Sequence, residues 1–145
     1  MSFLSSMNIS ASALTATRLR MDVITENMAN INTTRAEGGD DPYRRKYVVF
    51  QEKKNDRDFA SFFNRAQSAS GGVRVLQIGT DMSEFKLDYN PSHPDADEDG
   101  YVRYPNVEVV QEMVDMMAAF RAYEANITAL NTFKDMAVKT LEIGK

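Results

Sequence analysis

The chain has 145 residues, no cysteine and a formal charge of -4. The missing thiols exclude disulfides, thiolate chemistry and cysteine-based metal sites, and with no basic run longer than Arg44-Arg45-Lys46 the acidic balance argues against nucleic acid as main partner. The length suits one ordinary domain, or a small one carrying an extended part, and no apolar run approaches a membrane span.

Met1 to Ala16 ends in small residues, as secretory leaders do. It has no basic start, and Ser5, Ser6, Asn8, Ser10 and Ser12 break its apolar stretch, so it is not read as a general secretory signal. From Met1 to Ile31 apolar residues recur at heptad-like spacing: Phe3, Met7, Leu14, Met21, Ile24, Met28 and Ile31, with Ser10 and Thr17 at the weak steps. The spacing predicts a helix. Its Ser, Thr and Asn residues compete for backbone hydrogen bonds, so this helix is marginal alone. Asn27 to Thr34 is expected to end it, because asparagine tolerates the left-handed conformation and forms local turns.

Gly38, Gly39, Asp40, Asp41 and Pro42 form a loop. Tyr47 to Glu52, aromatic and β-branched at its centre, reads as a strand, and Val73 to Ile78, introduced by Ser70-Gly71-Gly72, as a second. Asp56 to Gln67 fits a short helix or an insertion. Phe85 to Tyr89 is a third strand with Phe85, Leu87 and Tyr89 on one face. These strands cannot enclose a large core, so the middle of the chain leans on the helices or on a neighbouring subunit.

Asp95, Asp97 and Asp99, followed by Gly100, copy the front of a calcium loop. The twelfth position, which needs a bidentate Glu, holds Asn106. A solvated turn bounded by Pro94 and Gly100 is therefore the simpler reading, with calcium binding as the alternative. His93 stands alone in a turn, with no second histidine to form a metal or catalytic set.

Asn106 to Lys145 carries the longest pattern in the chain. Val109, Met113, Met116, Phe120, Tyr123, Ile127, Leu130, Ala137 and Leu141 alternate steps of four and three, with Lys134 out of place, which is a coiled-coil seam. At 1.5 Å per residue the helix would run about 55 Å, too long for so small a protein to wrap. Ala118, Ala122, Ala125 and Ala129 make a ridge that would let another helix approach closely, or are simply good helix formers on an exposed face. Together the patterns predict an α+β chain: residues 1–35 an N-terminal helix, 36–105 a β-rich middle and 106–145 a C-terminal helix.

Ser12-Ala13-Leu14-Thr15-Ala16 with Arg18, Arg20 and Met21, then Asn27-Met28-Ala29-Asn30 and Thr33, resemble the N-terminal signature of bacterial flagellar rod, hook and hook-associated proteins. Gly72-Val73-Arg74-Val75, Asn90-Pro91-Ser92-His93-Pro94-Asp95-Ala96, Gly100-Tyr101-Val102, Tyr104-Pro105-Asn106-Val107, Glu112-Met113-Val114-Asp115-Met116 and Arg121-Ala122-Tyr123-Glu124-Ala125-Asn126 resemble the proximal rod members of that family. The likeness runs nearly full length, with no family motif in Asp56 to Gln67 and a longer Ala36 to Asp41 than the family pattern.

The resemblance implies a non-enzymatic structural protein without cofactor, metal or catalytic residue. Such proteins are exported unfolded by the flagellum-specific type III apparatus and assemble in the periplasm into a tubular drive shaft. Their terminal helices pair as an inner tube and the middle faces outward. The partners implied are further copies, other rod proteins, the MS-ring and export-gate components and distal rod neighbours. The expected interface residues are Met7, Leu14, Met21, Ile24, Met28, Met113, Met116, Phe120, Tyr123, Ile127, Leu130 and Leu141. Asn27, Ala29, Asn30, Thr33, Arg121, Glu124 and Asn126 are the family-motif residues; of these, the stretch from Arg121 to Asn126 with Tyr123 is expected to set helix register or subunit contacts, or is ordinary helix surface with one amphipathic core tyrosine.

Overall fold

The computed structural model describes residues 3–36, 38–53 and 71–143. Helix α1 (Phe3–Ala29) is followed by strands β1 (Lys46–Glu52), β2 (Val73–Thr80), β3 (Lys86–Tyr89) and β4 (Tyr101–Tyr104), then helix α2 (Val109–Ile143). The chain is α+β, as its patterning predicts. The strands form two two-stranded sheets, β1 with β2 and β3 with β4. Asp56 to Gln67 lies outside the described residues.

Both helices hold residues that are poor helix formers, and the hydroxyls show how. Thr15, Thr17 and Thr25 in α1, and Thr128, Thr132 and Thr140 in α2, each donate to the carbonyl four residues back. The competing group is thus absorbed within the helix rather than breaking it. The end of α1 differs from expectation in mechanism: among the described residues only glycines have positive φ. Asn30 instead turns the chain through its side chain, whose amide donates to Glu26 O at 2.9 Å, and its Oδ1 accepts from the Thr33 hydroxyl at 3.1 Å.

Strand β4 was not expected, and it changes the account of β3. The two run antiparallel with Lys86 opposite Tyr104, Leu87 opposite Arg103, Asp88 opposite Val102 and Tyr89 opposite Tyr101. Leu87, Tyr89, Tyr101 and Arg103 therefore share one face, which is exposed, while Val102 on the other is fully buried. Phe85 stands outside the strand and instead lies beneath the Arg44 guanidinium, 4.1 Å from its ring centroid. Gly100, at φ +82, closes the turn into β4, where a Cβ would come 3.0 Å from the Tyr89 ring.

The chain divides into two compact units, and each draws on the N-terminal, middle and C-terminal stretches. One comprises Arg20–Val48 and Ile78–Ala118. It contains Val23, Ile24, Tyr43, Val102, Pro105 and Val107 as buried side chains, together with buried Asn27 and Glu112. The other comprises Met1–Leu19, Val49–Gln77 and Ala119–Lys145. Its buried residues, among those described, are Ser10, Ala16 and Ala119. All three are small.

Along α2 the inward face keeps one column of the expected seam and replaces the other. Met116, Tyr123, Leu130 and Ala137 are half-buried, and Glu112, Ala119, Asn126 and Phe133 complete their heptad as buried or half-buried residues. The bulkier column, Val109, Met113, Phe120, Ile127 and Leu141, is exposed, Met113 and Phe120 at 51 % and Leu141 at 75 %. Ala118, Ala122 and Ala125 of the alanine ridge are exposed and Ala129 half-buried.

Candidate functional site

The densest set of specific contacts surrounds Asn27, in the last turns of α1. Its Oδ1 accepts from the Tyr43 hydroxyl and from the Lys46 backbone N–H, both at 2.9 Å. Its Nδ2 donates to Lys46 O at 2.8 Å and to Glu112 Oε2 at 3.1 Å. An asparagine has two donors and two acceptor lone pairs, and all four are used. One side chain thereby fixes α1, the start of β1 and the first turn of α2 in a single register.

Glu112 is fully buried, and its other oxygen accepts from Arg45 Nε at 2.6 Å. Arg45 continues to Asp115 at 3.4 Å, whose second oxygen faces Arg20 at 3.6 Å. A buried carboxylate is tolerated only when paired and hydrogen-bonded, and this one is both. Asn106 adds a second bracket: its Oδ1 accepts from Arg45 N at 2.8 Å, and its amide donates to Asp81 O at 3.1 Å and Ser83 Oγ at 2.8 Å. No buried side-chain polar atom among the described residues lacks a partner. Burial, then the negative charges of Glu26 and Glu112, push the Tyr43 phenol up to about 12. Tyr43 is therefore a neutral donor to Asn27 across the physiological range.

A tight contact stands at the other end of α1. Ser12 Oγ donates to Ile9 O at 2.7 Å and accepts from Val73 N at 3.1 Å. Gly72, at φ +154, has no room for a side chain: a Cβ would lie 2.9 Å from Ser12 Oγ. Gly79 is similarly covered by Tyr47, whose ring would sit 2.6 Å from an added Cβ.

The acidic turn is engaged by protein groups. Asp95 accepts from the Thr34 hydroxyl at 2.8 Å and pairs with Arg35 at 2.5 Å, and Asp97 faces Arg103 at 3.7 Å. The Thr34 bond, helped by the nearby positive charge of Arg35, holds the Asp95 carboxyl below its usual range. Asp99 is exposed. Among the described residues no three acidic or histidine side chains are arranged to hold a metal ion. Nothing in this geometry supports the calcium reading.

The expected site residues fall into distinct environments. Ile24 is buried, and Met7, Leu14, Met21 and Met28 are half-buried. Ala29, Arg121 and Glu124 are exposed, and Asn126 donates to Ala122 O at 2.8 Å. Glu112 and Asn106 were quoted inside motifs, and neither they nor Arg45 and Tyr43 were expected as site residues. The available signal was Glu112 itself, a charge at the head of the helical stripe that continues through Met116, Ala119 and Tyr123.

Several quoted motifs thus meet in space: Asn27 from the first, Asn106 and Glu112 from later ones, and Ser12 with Gly72 and Val73. The family described as "Flagella basal body rod protein" matches residues 7–36, and "Flagellar basal body rod FlgEFG protein C-terminal" matches residues 98–143. The flagellar basal-body rod protein FlgC of Bacillus subtilis is 51 % identical over 147 residues, covering 97 % of each chain. The chain belongs to the FlgC family of flagellar basal-body rod proteins. FlgC of Borreliella burgdorferi is 45 % identical across 99 % of this chain and 98 % of its own, and that of Salmonella typhimurium 43 % across the whole of both. As a member of the FlgC family the chain is a structural component of the basal-body rod, which implies assembly with other rod components. The C-terminal match includes Glu112 and the N-terminal match Asn27, so this hydrogen bond joins the two matched segments.

Proposed function

We propose that the chain is a non-enzymatic building block of the proximal rod that joins neighbouring rod subunits through apolar side chains its own fold leaves uncovered on α2. The observation that carries this reading is the exposure of Val110, Met113, Met117 and Phe120, at 69, 51, 61 and 51 %. These residues recur at steps of three and four and so line one side of the helix. Leaving them in water is unfavourable, and covering them with a neighbouring helix removes that cost. Contacts between unlike surfaces of successive copies propagate as a helical tube when the rotation does not close.

In this reading residues 1–35 and 106–145 form the inner tube and 36–105 the outward module. Met7, Leu14, Met21, Ile24, Met28, Met116, Tyr123 and Leu130 pack the helices, while Met113, Phe120, Ile127 and Leu141 face the neighbours. The rod transmits torque and encloses the export path, spans the periplasm, and abuts MS-ring, export-gate and distal rod proteins. The subunit leaves the cytoplasm by the flagellar type III apparatus. The terminal helices order fully only against neighbouring molecules.

The test is Phe120→Asp in the chromosomal copy. Expected are an unchanged helical circular dichroism spectrum of the purified monomer, no rod beyond this subunit and no swimming. Normal swimming overturns the proposal.

A further inference from the structure

We propose that β3 is a docking edge for a second copy of this chain: two copies lay their β3 strands side by side, antiparallel, and join two β3–β4 pairs into one sheet. All four residues of β3 are exposed, Leu87 and Tyr89 at 65 and 64 %. Asn90 N–H donates to Gly100 O at 3.0 Å, which extends the β3–β4 ladder by one bonded pair. Bonded pairs alternate along an antiparallel ladder, so Asp88 with Val102 and Lys86 with Tyr104 are the next ones, and the N–H and C=O of Leu87 and Tyr89 point away from β4. On the opposite edge Tyr101 O is capped by Asp97 N–H at 2.8 Å. The outward groups of Leu87 and Tyr89 meet no described residue.

An open strand edge is a template for another strand, and its own residues decide which one fits. Two identical strands related by a two-fold axis through the sheet run antiparallel, with one residue of the strand at the axis. With Lys86 or Asp88 at the axis that residue opposes its own copy, and like charges directly opposite repel. With Tyr89 there, Leu87 opposes Pro91, which has no N–H to give. With Leu87 at the axis every element agrees. Lys86 opposes Asp88 of the second copy and Asp88 opposes its Lys86, two attractive pairs at the non-bonded positions of the new ladder, where side chains approach most closely. Leu87 meets Leu87 through their outward backbone groups, and Tyr89 faces Phe85 of the second copy.

Both charges are available for that pairing. Asp88 makes no hydrogen bond or ion pair with a described residue. Lys86 Nζ donates to Val107 O at 2.8 Å, which leaves two of its three donors. The two side chains lie on the same face of β3, since residues two apart do, and so reach the same face of the second strand. Because the same surface serves both copies, the contact closes at two and does not propagate, unlike the contacts proposed for α2, with which it shares no residue. Four residues a side make a weak association, formed where the chain is concentrated.

The experiment follows sedimentation and amide exchange of the full chain from about 10 µM to about 1 mM, in wild type and in Phe120→Asp, which disables the α2 face. Expected in both is slowing of Leu87 amide exchange by about threefold or more with rising concentration, and in Phe120→Asp a species no larger than a dimer. Lys86→Glu and Asp88→Lys, each alone in the Phe120→Asp background, stay monomeric. Mixed in equal amounts they associate again, because one strand then carries two negative charges and the other two positive. No slowing at Leu87 up to about 1 mM overturns the proposal, as does slowing that vanishes in Phe120→Asp, which assigns it to α2, or single charge variants that associate as well as their parent. If Lys86→Glu fails to fold, Asp88→Lys decides alone, since Asp88 has no described partner to lose.

Discussion

Asn27 and Glu112, 85 residues apart in sequence, meet in a hydrogen bond of 3.1 Å inside the unit that holds the larger buried side chains. Truncating Asn27 to Ala removes four hydrogen bonds and strands Tyr43, Lys46 and one oxygen of buried Glu112. Each stranded buried group costs about 1–3 kcal/mol, so the expected loss is about 3–5 kcal/mol, read as a fall in the urea midpoint at unchanged slope. A change below about 1 kcal/mol contradicts the assignment.

Gly72→Ala forces a Cβ to within 2.9 Å of Ser12 Oγ at a backbone angle unsuited to it. The expected loss is about 1–3 kcal/mol by thermal or urea unfolding. Gly39→Ala, whose added Cβ would find its nearest atom at 3.9 Å, stays within about 0.5 kcal/mol of wild type.

Stability falls at high pH through Tyr43. Its folded value is raised to about 12 while the unfolded phenol ionises near 10, so the contribution is complete below about pH 10 and is lost as pH rises towards 12. Tyr43→Phe lacks this loss. The check is the slope of unfolding free energy against pH in the two proteins over that interval.

Asp95 behaves in the opposite sense. Its folded value is lowered, chiefly by the Thr34 hydroxyl, so its contribution is present above the ordinary carboxylate range and disappears as pH falls through the lower folded value. Thr34→Val reduces the acid-side slope below about pH 4, measured by chemical unfolding.

Local patterns carried the helices and most strands. Three- and four-residue spacing marked α1 and α2, and β-branched runs marked β1 and β2, because periodicity reports burial directly. The side of α2 that faces inward was less legible. Spacing by apolar bulk favours the column of Met113 and Phe120, whereas the fold turns in Glu112 and Ala119, because a carboxylate fully paired by Arg45 and Asn27 can be buried and an alanine admits close approach. Strand β4 escaped because its four residues follow an acidic turn and pair across the interval 90–100 with a strand of equal brevity. Asn27 itself stood out as a motif residue, but its role as a four-bonded hub depends on partners distant in sequence that no local pattern reveals.

The uneven distribution of buried bulk has a practical side for genetics. Replacements in the second half of α2, where Met136, Val138 and Leu141 are 46, 48 and 75 % exposed, should leave the melting curve of a dilute purified subunit almost untouched. A library ranked by thermal shift would grade such alleles as harmless, and only colony spreading on soft agar would separate the tolerated from the paralysed.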